Sequence, residues 1–465
     1  MNDAPSDADL LLSGATVVTM NAHRQVIADG ALAVRGNRIV AVGKREALAR
    51  SVRAKETIDT RRFVLTPGFI DGHIHITGDP LTRGFIRGGA GVAWAQRLSR
   101  WVIPLFCAQT AEEERVAAQC AALAMMRGGT TCFLEAGTVR QLDAVMEGLA
   151  ETGIRGRVGQ WVEGRVFDPT ADQAKASADA IAVLESEIAR YPDGGGARLA
   201  AWPLLVGHST NSDDVWRAAK SLADEHGLGV SAHMSPYAAD ADWFLGHNGR
   251  RPLQHLADLG VLGENVALTH LVHIDQSELD ILADTRTNAI HCPVSALQGG
   301  YGLSQAGLFP EMIARGVNVL LGTDGAASDI LSSARLMVGL VRDARQDQDL
   351  IEPSSALEIA ILNGAKALGM EASIGSIEVG KKADFVLHDP EVPEWGGPQF
   401  DVASQLVFCA PANGVHSVWI DGVRVIDQGR ATLFDQDRLL ADARQAGAAL
   451  VGRLGLPVKT SWPVI

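Results

Sequence analysis

Two histidines separated by one residue, His73 and His75, close the run Thr66-Pro-Gly-Phe-Ile-Asp-Gly-His73-Ile-His75. On an extended strand, residues two apart point to the same face. Both imidazoles can then reach one ion at about 2.0–2.1 Å, the usual span from zinc to a histidine nitrogen. A bare His-x-His pair proves little, because two half-buried strand histidines with backbone partners give the same pattern. Asp324 strengthens the case. It follows the apolar run Val317 to Leu321 within Gly322-Thr323-Asp324-Gly325-Ala-Ala-Ser328. A carboxylate there can ligate a metal and also take a proton from its water. Read alone, it is as readily a turn or helix N-cap residue.

Such groups need a scaffold that brings them together. From about Pro67, short apolar strand candidates alternate with longer helical stretches, the signature of repeated βα units. The candidates start near Gly68, Thr130, Arg157, Leu199, Gly229, Val266, Thr287 and Val317, the eight that a closed parallel barrel requires. Helices are expected over Glu112 to Arg127 and Ala171 to Arg190. A (β/α)8 TIM barrel presents its working residues at the C-terminal ends of its strands. The first strand then ends in His73 and His75, the fourth in His208 and the fifth in His233. The sixth ends in His270 with His273 close behind, the seventh in His291 and the eighth in Asp324. The chain has 13 histidines, so this many at one barrel mouth is not an even scatter.

Before Pro67 and after about residue 370 the texture is different: short β-rich runs such as Val17-Val18, Ile39 to Val42 and Val423 to Ile426. The expected architecture is a small β-sandwich domain built from both chain ends, residues 1–66 and 371–465, around a barrel over 67–370. An amphipathic helix over Asp437 to Arg453 is expected to serve packing. A length of 465 residues suits one large barrel with a companion. The net charge of −14 argues against nucleic acid or an anionic membrane as partner and leaves a small-molecule substrate. Neither a secretory leader nor a membrane-length apolar run is evident. Five cysteines without CxxC spacing point to free thiols, hence to a soluble cytoplasmic protein.

With His73-x-His75, His233, His270 and Gly-Thr-Asp324-Gly-Ala-Ala-Ser in this order, the chain resembles the amidohydrolase superfamily. It is most similar to the branch of triazine hydrolases, cytosine deaminase and S-adenosylhomocysteine deaminase. The resemblance extends through Leu81-Thr-Arg83-Gly, Val266-Ala-Leu-Thr-His270, His291-Cys-Pro-Val-Ser and Gly380-Lys-Lys-Ala-Asp384-Phe-Val-Leu. It implies one divalent metal bound by His73, His75, His233 and Asp324. Binuclear relatives carry a carboxylated lysine on the fourth strand, and Trp202 to Asn211 contains no lysine. Zinc is the default ion, and cobalt, iron or manganese suit the same donors. The resemblance makes Asp324 the proton carrier and His270 the partner of the attacking water. It turns His208 toward substrate and matches Arg83 to a loop arginine of relatives, which commonly form homo-oligomers. Tyr237 and His273 complete the expected substrate-binding set.

One departure bears on the reaction. Deaminases of this branch place a glutamate three residues after the fifth-strand histidine, where it protonates a ring nitrogen. Here the run is His233-Met-Ser-Pro236-Tyr237, and a proline side chain neither donates nor accepts. The expectation is therefore metal-activated attack on the carbonyl of an amide, urea, carbamate or thiocarbamate. Phenylurea hydrolase and molinate hydrolase, enzymes of xenobiotic degradation, are similar in length and layout. The alternative is a deaminase, or a chlorohydrolase or aminohydrolase, of a purine, pyrimidine or triazine. Tyr237, Asp240 and Asp242 offer substitutes for the missing acid, or are plain loop residues. Trp94, Trp101, Phe106 and Trp243-Phe244 either line an apolar pocket or pack helices on the barrel, and Glu135 and Glu163 could accept from ligand histidines.

Overall fold

The computed structural model describes residues 6–85, 98–325, 329–456 and 462. Strands β1 (Ser6–Val18), β2 (Val26–Arg35), β3 (Arg38–Lys44), β4 (Val52–Asp59) and β5 (Val64–Pro67) come first. After the barrel, the chain end adds β15 (Phe385–His388), β16 (Val415–Ile420), β17 (Val423–Asp427) and β18 (Arg430–Ala431). Together they form one nine-stranded sheet in the order β18-β17-β16-β15-β5-β1-β2-β3, with β4 also paired to β1. β5 runs parallel to β1 and antiparallel to β15, so the strand that enters the barrel is also where the two chain ends meet. Leu12, Val17, Leu32, Phe63, Leu65, Phe385 and Trp419 fill the core of this unit.

The barrel is built from two parallel arcs. The first holds β6 (Phe69–Ile74), β7 (Thr130–Glu135), β8 (Arg155–Val158) and β9 (Leu199–Ala201). The second holds β10 (Leu204–Gly207), β11 (Val230–Met234), β12 (Val266–His270), β13 (Asn288–His291) and β14 (Val319–Leu321). β9 and β10 are a single stave, expected as one run from Leu199 and interrupted at Trp202-Pro203. Pro203 has no N–H to give to the ladder, which is why the stave breaks there. Side chains on β6, β7 and β11 are buried throughout, as suits parallel strands covered on both sides.

The barrel closes between its first and eighth staves, where Asp324 N donates to the His73 carbonyl at 2.8 Å. A Cβ at Gly322 would stand 2.8 Å from both Cys292 Sγ and His73 Cβ, so glycine is what lets these backbones approach. The helices start where local chemistry directs. Thr110 and Glu113 form a reciprocal capping box for Ala111–Arg127, and Asp172 caps Gln173–Arg190. The C-terminal helix Gln436–Arg453 is tied to the first of these through Arg453 and Glu113. Among the described residues no helix is long and apolar enough to cross a membrane.

Arg155, at the start of β8, is fully buried beneath the barrel. Its guanidinium meets Asp384 and Asp421, each at 2.9 Å, and so bolts the barrel to the terminal sheet. This accounts for the aspartate in Lys-Lys-Ala-Asp384. Breaking one side of a buried pair leaves charge without compensation. Asp384→Ala is expected to cost about 3 kcal/mol of stability, read as a lowered urea midpoint. A midpoint equal to that of the unaltered chain would remove Arg155 from this role.

Candidate active site

His73 lies within β6, His75 just beyond it, His233 within β11, and His270 at the last position of β12. His270 and Asp324 adopt φ of +83° and +57°, left-handed values that non-glycine residues hold only when their surroundings enforce them. Here the surroundings are the converging stave ends. His75 Nε2 lies 3.1 Å from Asp324 Oδ1 and 3.4 Å from His233 Nε2. His270 Nε2 lies 3.9 Å from Asp324 Oδ2. Ligand atoms of His73, His75 and Asp324 fall within 4.8 Å of one another, as do those of His73, His233 and His270.

The other ring nitrogens show which way each imidazole faces. His233 Nδ1 donates to the Val206 carbonyl at 2.8 Å, and a carbonyl can only accept. The Thr138 hydroxyl gives its proton to Glu135 Oε1 at 2.7 Å. Its oxygen therefore accepts from His75 Nδ1 at 3.1 Å. His73 Nδ1 meets the Thr269 hydroxyl at 3.1 Å, and His73 Nε2 is buried with no partner among the described residues. His75 and His233 thus turn Nε2 to the centre, and the bare Nε2 of His73 joins them. Burial, helped by the adjacent histidines and opposed at His73 by Asp324, holds His73 and His233 well below the usual imidazole value. This convergent nitrogen set with a carboxylate fits a divalent cation, and His73, His75, His233 and Asp324 would hold it.

Charge in the centre is strongly coupled. Burial opposes protonation of His75, yet the Asp324 carboxylate outweighs it and raises the imidazole to about 9. Asp324 sits well below the carboxylate range against its own burial, because His75, His270 and His73 surround it. Burial lowers His270 to about 4. Beneath the centre, Asp71 accepts from the backbone N–H groups of His73 and Thr323 and from the Thr323 hydroxyl. That staple links the Asp-Gly-His and Gly-Thr-Asp segments, a link that neither shows by itself.

A cavity of about 1190 Å³ opens above the centre, and Arg83, His208 and Tyr237 line it as expected of substrate-facing residues. His208 Nδ1 is tied to Asp240 Oδ2 at 2.7 Å, so Asp240 orients a histidine, and Asp242 is exposed. His273 is not among the lining residues; its Nε2 donates to the Tyr301 carbonyl at 2.7 Å and positions that residue from behind. His291 lies against Phe309, with ring centroids 3.8 Å apart, away from the cavity. Of the expected aromatics, Phe106 lines the cavity, while Trp243 stacks on His247 and Phe244 packs on His255. Trp101 is absent from the lining, and Trp94 and Ala326–Ser328 lie outside the described residues. Glu135 does serve a ligand histidine, through Thr138, and Glu163 lines the wall.

Among the lining residues that sequence reasoning missed are Asp79, Trp161 and Tyr301. Asp79, four residues past His75, carried a weak spacing signal; burial raises its carboxyl to about 6. Tyr301 packs edge-on against both Tyr237 and His270, at 4.8 and 5.5 Å between ring centroids. No motif announced it. Because Thr138 fixes the His75 tautomer, Thr138→Val is expected to weaken metal affinity about 10–100-fold. Competition against a chelator measures this, and an unchanged affinity would deny the hydroxyl that role.

Comparison with known proteins follows the same lines. Residues 64–425 match the model of the amidohydrolase family. A 5-methylthioadenosine/S-adenosylhomocysteine deaminase of Symbiobacterium thermophilum is 31% identical over 95% of this chain and 99% of its own. One from Nitratidesulfovibrio vulgaris is 29% identical over 95% and 97%. Among solved structures, an adenosine deaminase from Xanthomonas campestris with bound zinc is 27% identical, with a TM-score of 0.86 over 96% of this chain and 100% of that one. The fold alone is shared with a zinc-complexed atrazine chlorohydrolase from Arthrobacter aurescens, 21% identical with a TM-score of 0.84, covering 94% of this chain and 100% of that one.

Proposed function

The chain belongs to the amidohydrolase family and is a metal-dependent hydrolase acting on C–N bonds; from that premise we propose that it removes an amino group from a purine-type heterocycle. The observation that carries this reading is the convergent centre of His73, His75, His233 and Asp324 in a chain whose full-length relatives bear nucleoside-deaminase names. It favours ring deamination over the carbonyl hydrolysis expected from Pro236. A divalent cation bound there supplies a water acidified from 15.7 to about 7.

The chain's own residues supply the rest. Asp324 accepts the proton of the attacking water and returns it to the departing nitrogen. His270, kept neutral by burial and 3.9 Å from Asp324, directs a hydrogen bond to the incoming oxygen. His208, anchored by Asp240, faces the substrate. The wall formed by Phe106, Trp161, Tyr237 and Tyr301 suits a flat, largely apolar ring.

Pro236 supports a second reading. It lines the cavity without offering a proton, and hydrolysis of a urea, carbamate or thiocarbamate carbonyl needs no ring protonation. A panel of 5′-methylthioadenosine, S-adenosylhomocysteine, adenosine, phenylureas, carbamates and thiocarbamates separates the two. Ammonia release from the nucleosides is expected; cleavage confined to the carbonyl compounds would overturn the deaminase reading. Asp324→Ala is expected to lower kcat by about 10²–10⁴-fold, and retained turnover would exclude it as proton carrier. Pro236→Glu, which adds an acid to the wall, is expected to raise kcat on the nucleosides; a fall would show that the ring is protonated from elsewhere.

A further inference from the structure

Asp79 opens the short helix Asp79–Thr82, and its carboxylate lines the cavity. It packs on the loop that carries Asp324: a Cβ on Gly325 would stand 2.3 Å from Asp79 Oδ2. That contact explains why glycine follows Asp324. Its electrostatic neighbours are His75, Asp324 and Arg83, and no hydrogen-bond donor to its carboxylate is found among the described residues. A carboxylate withdrawn from bulk water is costly unless donors replace those it has lost. Its place on the cavity wall lets what occupies the cavity supply such a donor.

The position selects which part of the substrate that is. Asp79 follows the first stave and touches the loop of the eighth, while Pro236 follows the fifth, four staves away around the barrel. Asp79 therefore does not stand in for an acid at Pro236. It shares a wall with Asp324, the group that hands a proton to the departing atom. We propose that Asp79 is a specificity-determining residue that accepts a hydrogen bond from the N–H of an amine leaving group, so that this site prefers scissile carbons bearing nitrogen. The inference rests on the reading of Asp324 as proton carrier.

The step balances without further reagents. Water adds to the ring carbon as the C=N electron pair moves to the ring nitrogen; one water proton ends on that ring nitrogen, and the other passes through Asp324 to the amino nitrogen. The C–N bond breaks with its electron pair on nitrogen, and ammonia departs. Asp79 begins and ends with the same protons. A chloride, methoxy or thiolate leaving group offers no N–H and leaves this carboxylate unsatisfied, the situation in which polar sites discriminate most strongly.

The test compares kcat/KM for adenosine and for 6-chloropurine riboside in the zinc-loaded full chain, its Asp79→Asn variant and its Asp79→Ala variant. Phenylurea and the matching phenyl thiocarbamate form a second pair, in which an amine or a thiol departs. Zinc content and the thermal midpoint of each variant report on folding. In the alanine variant the amine-leaving substrate is expected to lose about ten-fold or more, the worth of a hydrogen bond to a charged group, and less in the asparagine variant, whose amide oxygen still accepts, while its partner changes little. Equal losses on both members of a pair, or no loss in the alanine variant, would overturn the inference. Turnover of the carbonyl pair alone would defeat the purine reading yet still test Asp79 on its own ratio. Turnover of neither pair would overturn both.

Discussion

Three converging imidazoles must turn a nitrogen to one point, and each can do so only if its other nitrogen is satisfied elsewhere. That requirement propagates outward from the centre. His75 depends on Thr138, which depends on Glu135; His73 depends on Thr269, and His233 on the Val206 carbonyl. Each partner sits on a different stave or on the loop that follows one, so the barrel must close in one register for the set to form. Asp71 enforces that register at the seam by holding the His73 and Thr323 backbones together. Gly322 permits it by allowing the same seam to close without a clash.

The same centre explains the burial of so much charge. Asp324 and His75 sit where water would otherwise screen them, and their mutual attraction stands in for lost hydration. The terminal sheet poses the identical problem below the barrel, where Arg155 is answered by Asp384 and Asp421. The cavity wall above is different. Proline at 236 and aromatic rings at 106, 161, 237 and 301 lie along it, and Asp79 stands among them as a carboxylate with no hydrogen-bond donor found among the described residues. Catalytic power resides in the centre, and choice of substrate in this wall.

The barrel and its stave-end histidines were legible early because they rest on local properties, while the choice of ligands among them was implied by the family resemblance. Strand ends announce themselves by apolar runs closing on a polar residue, and His-x-His spacing guarantees a shared face. Misreadings arose where position alone was used. His273 stands three residues after His270, near enough along the chain to suggest a place at the mouth. The turn after β12 sends it behind Tyr301 instead. The run from Leu199 reads as one continuous stave, and Pro203, which has no N–H for the ladder, divides it.

Side-chain identity and periodicity are written residue by residue, and they determined the barrel, the order of the stave-end histidines and the carboxylate opposite them. Hydrogen-bond partners across a closed barrel are not local. His75 meets Thr138 across 63 residues, and His73 meets Thr269 across 196. Only the closed tertiary structure could decide which nitrogen faces the centre, which histidine stands behind the wall, and that Asp79 touches the loop of Asp324. Each of these is a distance between staves, and closure of the barrel sets those distances.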